Sequence, residues 1–396
     1  MTVDLTTAHQ GLWQWCRAEG FAGYDPYDAL NSRLFQATPL RHSRSVRLAW
    51  TQFHKRSPIN FRPLAGIPRE RNSKAIALFT LAALADYRRT GTKETEIEAK
   101  ELLDDLMSMR LKGFKRAAWG YNFDWQSRAF FAPRRTPTIV PTAFAARALC
   151  EAAEVFGAEE YLPLARTVAD FILNDLNRAD DAGDEVCFSY SPLDQTRVFN
   201  ASLLAAEVLA SVGKLTGEAN LCDWAMRATR YVIRHQRADG SWAYGGTYYQ
   251  SWADNFHTAF ILTSLSRIMK SVPGAGATGS PGEIEASLKR GYDFWRERFF
   301  LSNGWPKYFP DRLYPADAHS AGAAVVALTE LQWLDPDALD VAEKVARWAI
   351  ENLNDRRGFF YYQRRRFHTV HIPYMRWSEA WMSYALARLL EVKSKK

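Results

Sequence analysis

The sequence predicts an all-α protein, an (α/α)6 toroid of six helical hairpins with an N-terminal helical extension. Three observations lead there. Six short, nearly uncharged helical segments recur along the 396 residues at start-to-start spacings of 68, 60, 56, 63 and 58. Amphipathic segments with one charged face alternate with them. A Gly- and aromatic-rich turn follows the amphipathic segments, so the unit is buried helix, exposed helix, turn. An open helical solenoid is the alternative, but it would keep more regular spacing and polar end caps.

Residues 1–65 read as the extension, packed against the body. TTAHQGLWQWCRAEG is an amphipathic helix with Thr6 or Thr7 as its N-cap. FAGYDPYDAL breaks it, a second helix covers Ser43 to His54, and Ser57-Pro58 and Arg62-Pro63 end that helix. Residues 66–396 form the toroid as a single domain. Its inner helices carry KAIALFTL from Lys74, TAFAARAL from Thr142, SLLAAEVL from Ser202, TAFILTSL from Thr258, AGAAVVAL from Ala321 and EAWMSYAL from Glu379. Few charges interrupt them, as expected of helices buried on most sides. Outer helices such as YLPLARTVADFILNDL and DALDVAEKVARWAIENL keep an apolar stripe and a charged face. PGAGATGSPG, Pro273 to Gly282, reads as a flexible surface loop.

Composition excludes several classes. The chain is 47% hydrophobic, with 14 Trp, 17 Tyr and 23 Phe, enough for a large core and for aromatic cleft walls. The net charge of +7 is modest and reads as spread along the chain, the densest run being Arg364-Arg365-Arg366. No zinc-finger spacing or basic helix accompanies it, so nucleic acid is not the expected partner. An acidic substrate fits the charge, and so does ordinary solubility. Cys16, Cys150, Cys187 and Cys222 are far apart, without metal-ligand spacing. Met1 to Trp15 lacks the pattern of a signal peptide, and no apolar run is long enough to span a bilayer. The expectation is a cytoplasmic protein with reduced thiols. No phosphate loop, dinucleotide fingerprint, serine elbow or H-E-x-x-H occurs, and no cofactor is expected.

In such a toroid the segments leading into the inner helices meet at one end of the ring. Counted back from the helix markers, Glu70, Asp254 and Asp317 share one register, and Asn72, Asn200 and His319 another. Asp and Asn there are also ordinary N-caps. Asp254 and His257 are the first catalytic candidates, because Asn255 crowds the same turn. Glu379 is another: among Trp377, Trp381 and Tyr384 its pKa should rise, which suits a general acid, unless Arg376 pairs with it. The long loop Trp119 to Thr138 supplies Asp124, with Trp125 and Arg128 for substrate, although Asp124 and Arg128 at i,i+4 also suit a salt bridge. Further substrate-binding candidates are Tyr190, Trp242, Tyr244, His319, Tyr374 and Arg376. No metal site is expected; His257 and His319 would need to converge with Asp254 or Asp317 to make one.

Gln236-x-x-x-Gly240-x-Trp242 resembles the repeat signature of squalene-cyclase-like α/α barrels. It occurs once and no D-x-D-D acid motif accompanies it, so the resemblance implies architecture and not cyclase activity. SPINFRPLAGI, WGYNFDWQSR, TPTIVPTAF, CFSYSPLD, FNASLLAAEVL and DNFHTAFIL are similar to a poorly characterised bacterial and archaeal family. Its members are often encoded among polysaccharide, capsule or O-antigen biosynthesis genes. Some carry an aminolevulinate dehydratase label, although that enzyme's lysine-dependent barrel is not recognisable here. The resemblance implies a role around surface glycans and transfers no catalytic residues.

The function expected is that of a carbohydrate-active enzyme: a glycoside hydrolase, lyase or epimerase acting on an oligosaccharide or polysaccharide, acidic or lipid-linked. Hydrolysis would draw two carboxylates from Asp124, Asp254 and Glu379. Lyase or epimerase chemistry would use His257 with Tyr190 or Tyr374. The alternatives are a terpenoid or polyprenyl enzyme, with a closed apolar cavity, and a non-catalytic scaffold, with a plugged ring.

Overall fold

The computed structural model describes residues 4–128, 130–157, 159–272 and 281–395. Of the loop expected over residues 273–282, Pro273 to Ser280 lie outside the described residues. Three helices precede the ring: α1 (Leu5–Ala18), the short α2 (Arg33–Gln36) and α3 (Arg44–Arg56). Eleven more follow in alternation: α4 (Ser73–Thr90), α5 (Lys93–Ser108), α6 (Ile139–Phe156), α7 (Leu162–Asn174), α8 (Phe199–Thr216), α9 (Ala219–Arg234), α10 (Asn255–Ser271), α11 (Pro281–Phe299), α12 (Ala318–Glu330), α13 (Ala338–Leu353) and α14 (Ala380–Lys393).

The even-numbered helices from α4 to α14 form the inner ring. Each packs on the next, and α14 closes on α4. Their small, uncharged side chains permit this: α12 is AHSAGAAVVALTE and is buried over Ala318 to Thr329. At Gly322 a Cβ would lie 2.9 Å from the Trp381 backbone, so α14 approaches too closely for a larger residue. α4, α6 and α8 end on Gly91, Gly157 and Gly217, whose positive φ angles supply the left-handed cap that terminates a helix. The outer helices are amphipathic, and α1 packs against α14 and α13 on the outside of the ring. The expected all-α toroid is therefore present, with small antiparallel ladders in its connections. They are β1 (Trp125–Gln126) with β2 (Phe131–Ala132), β3 (Arg178–Ala182) with β4 (Glu185–Phe188), and β5 (Ala316–Asp317), β6 (Gln363–Arg364) and β7 (Thr369–Val370).

Near the C-terminal ends of the inner helices lies a buried ion-pair network. Arg147 holds Glu207 in a bidentate contact at 2.7 and 2.6 Å, and Glu151 takes Arg88 at 2.8 Å and Arg267 at 3.0 Å. The opposite end is tied to the N-terminal segment. Arg376 donates to both oxygens of Asp25 at 2.6 and 2.8 Å, and Arg62 donates to Asp28 at 2.7 Å and to the Asp25 carbonyl at 2.9 Å.

The charge is not spread along the chain. Residues 29–69 contain eight Lys and Arg and no Asp or Glu; subtracting them leaves 43 cations against 44 anions. The excess of the whole protein sits in one N-terminal arm.

Candidate functional site

The N-terminal ends of the inner helices open into a cavity of about 900 Å³. The second residues of α4, α6, α8, α10 and α12 all line it: Lys74, Val140, Asn200, Phe256 and His319. Trp377 lines it too, from a single π-helical turn over Met375–Glu379 that leads into α14. Equivalent positions of the repeat thus converge on one space. α3 adds a wall through Leu48, Gln52, Lys55 and Arg56, and the β1–β2 hairpin adds Trp125, Gln126 and Arg128.

On one side stands His257. Asp254 caps α10, accepting from the His257 backbone N–H at 3.0 Å, and its other oxygen accepts from His257 Nδ1 at 2.7 Å. Trp252 Nε1 donates to the same carboxylate at 3.2 Å. A carboxylate on Nδ1 fixes the proton there and leaves Nε2 as the basic atom. His257 lines the cavity and Asp254 lies behind it, 2% exposed. Tyr244 packs on His257 with ring centroids 4.6 Å apart and stacks on Trp252 at 4.9 Å.

Phe256 touches both His257, at 4.1 Å, and His319, at 4.4 Å between centroids. His319 is wedged among Phe256, Trp377 and Trp381, and neither ring nitrogen has a protein partner. Burial, then the nearby charges of Lys74, Arg376, His257 and Lys55, hold its pKa well below the usual histidine range. The Asn200 and Gln126 side-chain oxygens are likewise buried without a partner. Buried polar atoms are nearly always paired, so those that line this cavity offer hydrogen bonds to a polar ligand.

Lys74 is the residue that sequence reasoning missed. Its ammonium lies over Phe144, Phe260 and Trp381 at 4.6, 5.1 and 5.3 Å from the ring centroids, and no described carboxylate pairs with it. Burial, followed by repulsion from Arg376, pulls its pKa well below the usual lysine range. Lys55 donates to the Tyr27 hydroxyl at 2.5 Å, also without a carboxylate. Among the described lining residues the one carboxylate is Asp311, and Arg312 neutralises it. Lys55, Arg56, Lys74, Arg128 and Arg376 face the same space.

The other expected site residues divide by position. Trp125, Arg128, Tyr190, Tyr244, His319 and Arg376 line the cavity with His257. Tyr190 joins its hydroxyl to that of Tyr121 at 3.0 Å, and burial raises its pKa well above the usual range. Asp124, Trp242, Tyr374 and Glu379 do not line it. Asp124 accepts from the Arg134 backbone N–H at 2.7 Å and makes no salt bridge with Arg128, because the chain is extended there and not helical. Trp242 is buried beside Gly291 and donates to the Val232 carbonyl at 3.0 Å. Tyr374 packs under the Arg62 guanidinium at 4.7 Å. Glu379 accepts from the Phe360 N–H at 2.8 Å, and burial raises its pKa well above the usual range. It does not pair with Arg376, which Asp25 occupies. Asn72 and Asp317 act as helix caps, whereas Asn200 lies inside α8 and caps nothing. No group of three His, Cys, Asp or Glu among the described residues converges as metal ligands would.

No protein-family model matches the chain, and no curated protein matches its sequence. Solved structures do. A cellobiose 2-epimerase from Bacillus thermoamylovorans aligns with a TM-score of 0.63 at 12% identity, over 83% of this chain and 90% of that one. A GH76 alpha-mannanase from Bacteroides thetaiotaomicron gives 0.59 at 11% identity, over 81% and 86%. A polysaccharide lyase gives 0.58 at 10% identity, over 81% and 89%. At these identities the likeness establishes the fold: this chain has the α/α toroid that these glycan-acting proteins share.

Proposed function

We infer that the chain is a carbohydrate-active enzyme which removes a carbon-bound proton from an acidic saccharide, as an epimerase or a lyase does. The observation that carries this reading is that two histidines, His257 and His319, line one cavity. His257, backed by Asp254, is the base: the carboxylate stabilises the imidazolium formed when Nε2 takes a proton. His319, whose ring nitrogens have no protein partner, is the second proton-transfer group: it returns a proton to carbon when it enters as the imidazolium, a form that the charge of an acidic substrate favours. In epimerisation the proton leaves a carbon next to a carbonyl or carboxylate and one returns on the opposite face. In elimination the same abstraction is followed by breakage of the neighbouring C–O bond, leaving an unsaturated sugar. Tyr190 and Tyr244 border the same space and offer hydroxyls to the leaving oxygen.

The acidic substrate follows from charge. Six cations line the space: Asp311 offsets Arg312 and Asp25 offsets Arg376, while Lys55, Arg56, Lys74 and Arg128 have no carboxylate partner among the described residues. An anionic sugar supplies that missing charge. Hydrolysis is less well supported, because it needs two carboxylates flanking the scissile bond. Asp124 and Glu379 lie off the cavity and Asp254 is committed to His257. An isoprenoid substrate would not use this set of cations and orphaned polar atoms, and a plugged ring would leave no cavity. The structural neighbours include a sugar epimerase and a polysaccharide lyase as well as a mannanase, so they support carbohydrate chemistry and the choice among reactions rests on the cavity.

The test is a turnover screen of matched neutral and uronate-containing oligosaccharides, with nuclear magnetic resonance of the products. Conversion of the uronates alone, without net addition of water, is the expected result. Hydrolysis products, or turnover of the neutral set alone, would sink the reading.

A further inference from the structure

We propose that the N-terminal arm, residues 29–69, docks on an anionic lipid surface and holds the cavity mouth against it. Three observations place it there, and none depends on the chemistry at His257.

The first is charge without compensation. Of the arm's eight cations, Arg62 pairs with Asp28 and Arg69 with Glu19. Arg33, Arg41, Arg44 and Arg47 have no carboxylate partner among the described residues, and Lys55 and Arg56, also without one, face the cavity. Cations near an anionic leaflet each contribute about a fivefold gain in partitioning. The second is apolar exposure. Leu34, Leu40, Ile59 and Leu64 are 62, 52, 60 and 77% exposed, and Phe53 is 49% exposed. These account for five of the thirteen large hydrophobic side chains exposed on the described chain, within 31 residues. An acidic polymer would be satisfied by the cations alone, whereas aliphatic side chains beside them suit the boundary between headgroups and acyl chains. Together these favour a membrane over a soluble polyanion.

The third is rigidity and placement. Phe35, Trp50, Phe53 and Phe61 stack in series at 5.5, 5.9 and 5.5 Å, and Arg62 fixes the arm to the Asp25 carbonyl and Asp28. The surface is formed before binding, so little ordering opposes it. α3 turns Leu48, Gln52, Lys55 and Arg56 to the cavity while Ser45, Ala49 and Phe53 face outward. Docking through this arm therefore brings the mouth to the headgroup layer, where a saccharide carried on a lipid would be presented.

The experiment is co-sedimentation of the full chain with phosphatidylcholine vesicles, with and without phosphatidylglycerol. Binding only to the anionic vesicles, weakened by salt, is expected. The double variant Arg33→Glu/Arg41→Glu should bind about tenfold more weakly or worse. A second variant, Leu34→Ser/Ile59→Ser/Leu64→Ser, should also lose about tenfold. All lie away from the cavity, and an unchanged circular dichroism melt confirms folding. Absence of binding to anionic vesicles overturns the proposal. So does full binding by the serine variant together with displacement by polygalacturonate, which would make the arm a polymer-binding surface.

Discussion

Asp254 does two jobs that one substitution separates. Asn is as good an N-cap as Asp, so Asp254→Asn should keep α10 and shift Tm little. It removes the negative charge behind His257, so kcat should fall about 100-fold or more. Parallel melting and kinetic measurements check both halves. Lys74 gives the opposite signature. Its charge is buried without an ion-pair partner, so Lys74→Met should raise stability by about 1 kcal/mol or more while weakening acidic substrates. The sign of its pH effect follows from its depressed pKa. An anion binds the protonated amine, so KM for an acidic substrate should rise with pH before the usual lysine range, and Lys74→Met should abolish that rise. Sequence reading had access to Lys74 but set it in the wrong register. The segment KAIALFTL begins at Lys74, two residues earlier in its helix than the segments of α6, α8, α10 and α12 begin in theirs, so Asn72, a cap, appears equivalent to His319. Counted from the helix start, Lys74 is the true equivalent. Glu379, conversely, reads as a site residue from its aromatic neighbours, but sequence cannot say which way a buried side chain points.

At the scale of elements, periodicity made the inner and outer helices legible, because burial on all sides and burial on one side leave different patterns. The turn that carries Gln236, Gly240 and Trp242 is legible for the same reason. Gly240 has φ +88° and its Cβ would lie 2.4 Å from the Arg290 carbonyl, while Gln236 bridges the turn to α11 through Ser287 and Arg290. What periodicity could not convey is the pairing of Asp25 with Arg376, 351 residues apart. That pair lies in a buried chain of contacts between the arm and the ring. Asp25→Ala leaves the Arg376 guanidinium buried and unpaired, so it should cost about 3–5 kcal/mol in denaturant unfolding. The double variant Asp25→Ala/Arg376→Met should recover much of that loss.

For the molecule as a whole, the two ends of the ring differ in purpose. The N-terminal ends of the inner helices hold neutral or unpaired groups around a cavity, whereas the C-terminal ends hold compensated ion pairs. Burial alone would raise the Glu151 pKa, but Arg88, Arg267 and Arg388 outweigh it and hold the carboxyl well below the usual range. Glu330 is depressed in the same way by Arg267 and Lys270 against its burial. A depressed folded pKa contributes stability above the unfolded value of about 4.5 that is lost as pH falls. Tm should therefore drop on acidification below that point, and Glu151→Gln, already less stable at neutral pH, should show a shallower drop. The six-unit ring was legible because its repeat is in the sequence. The one-sided placement of charge was not, because it depends on which end of each helix faces the cavity.

Removal of a proton from carbon is the role proposed for His257. It is tested most directly with an acidic disaccharide carrying deuterium at the carbons next to its carbonyl and carboxylate groups. The enzyme should release the label from one of these carbons to water as product forms, and His257→Gln and Asp254→Asn should largely stop the release. Product formation with every label retained would contradict it.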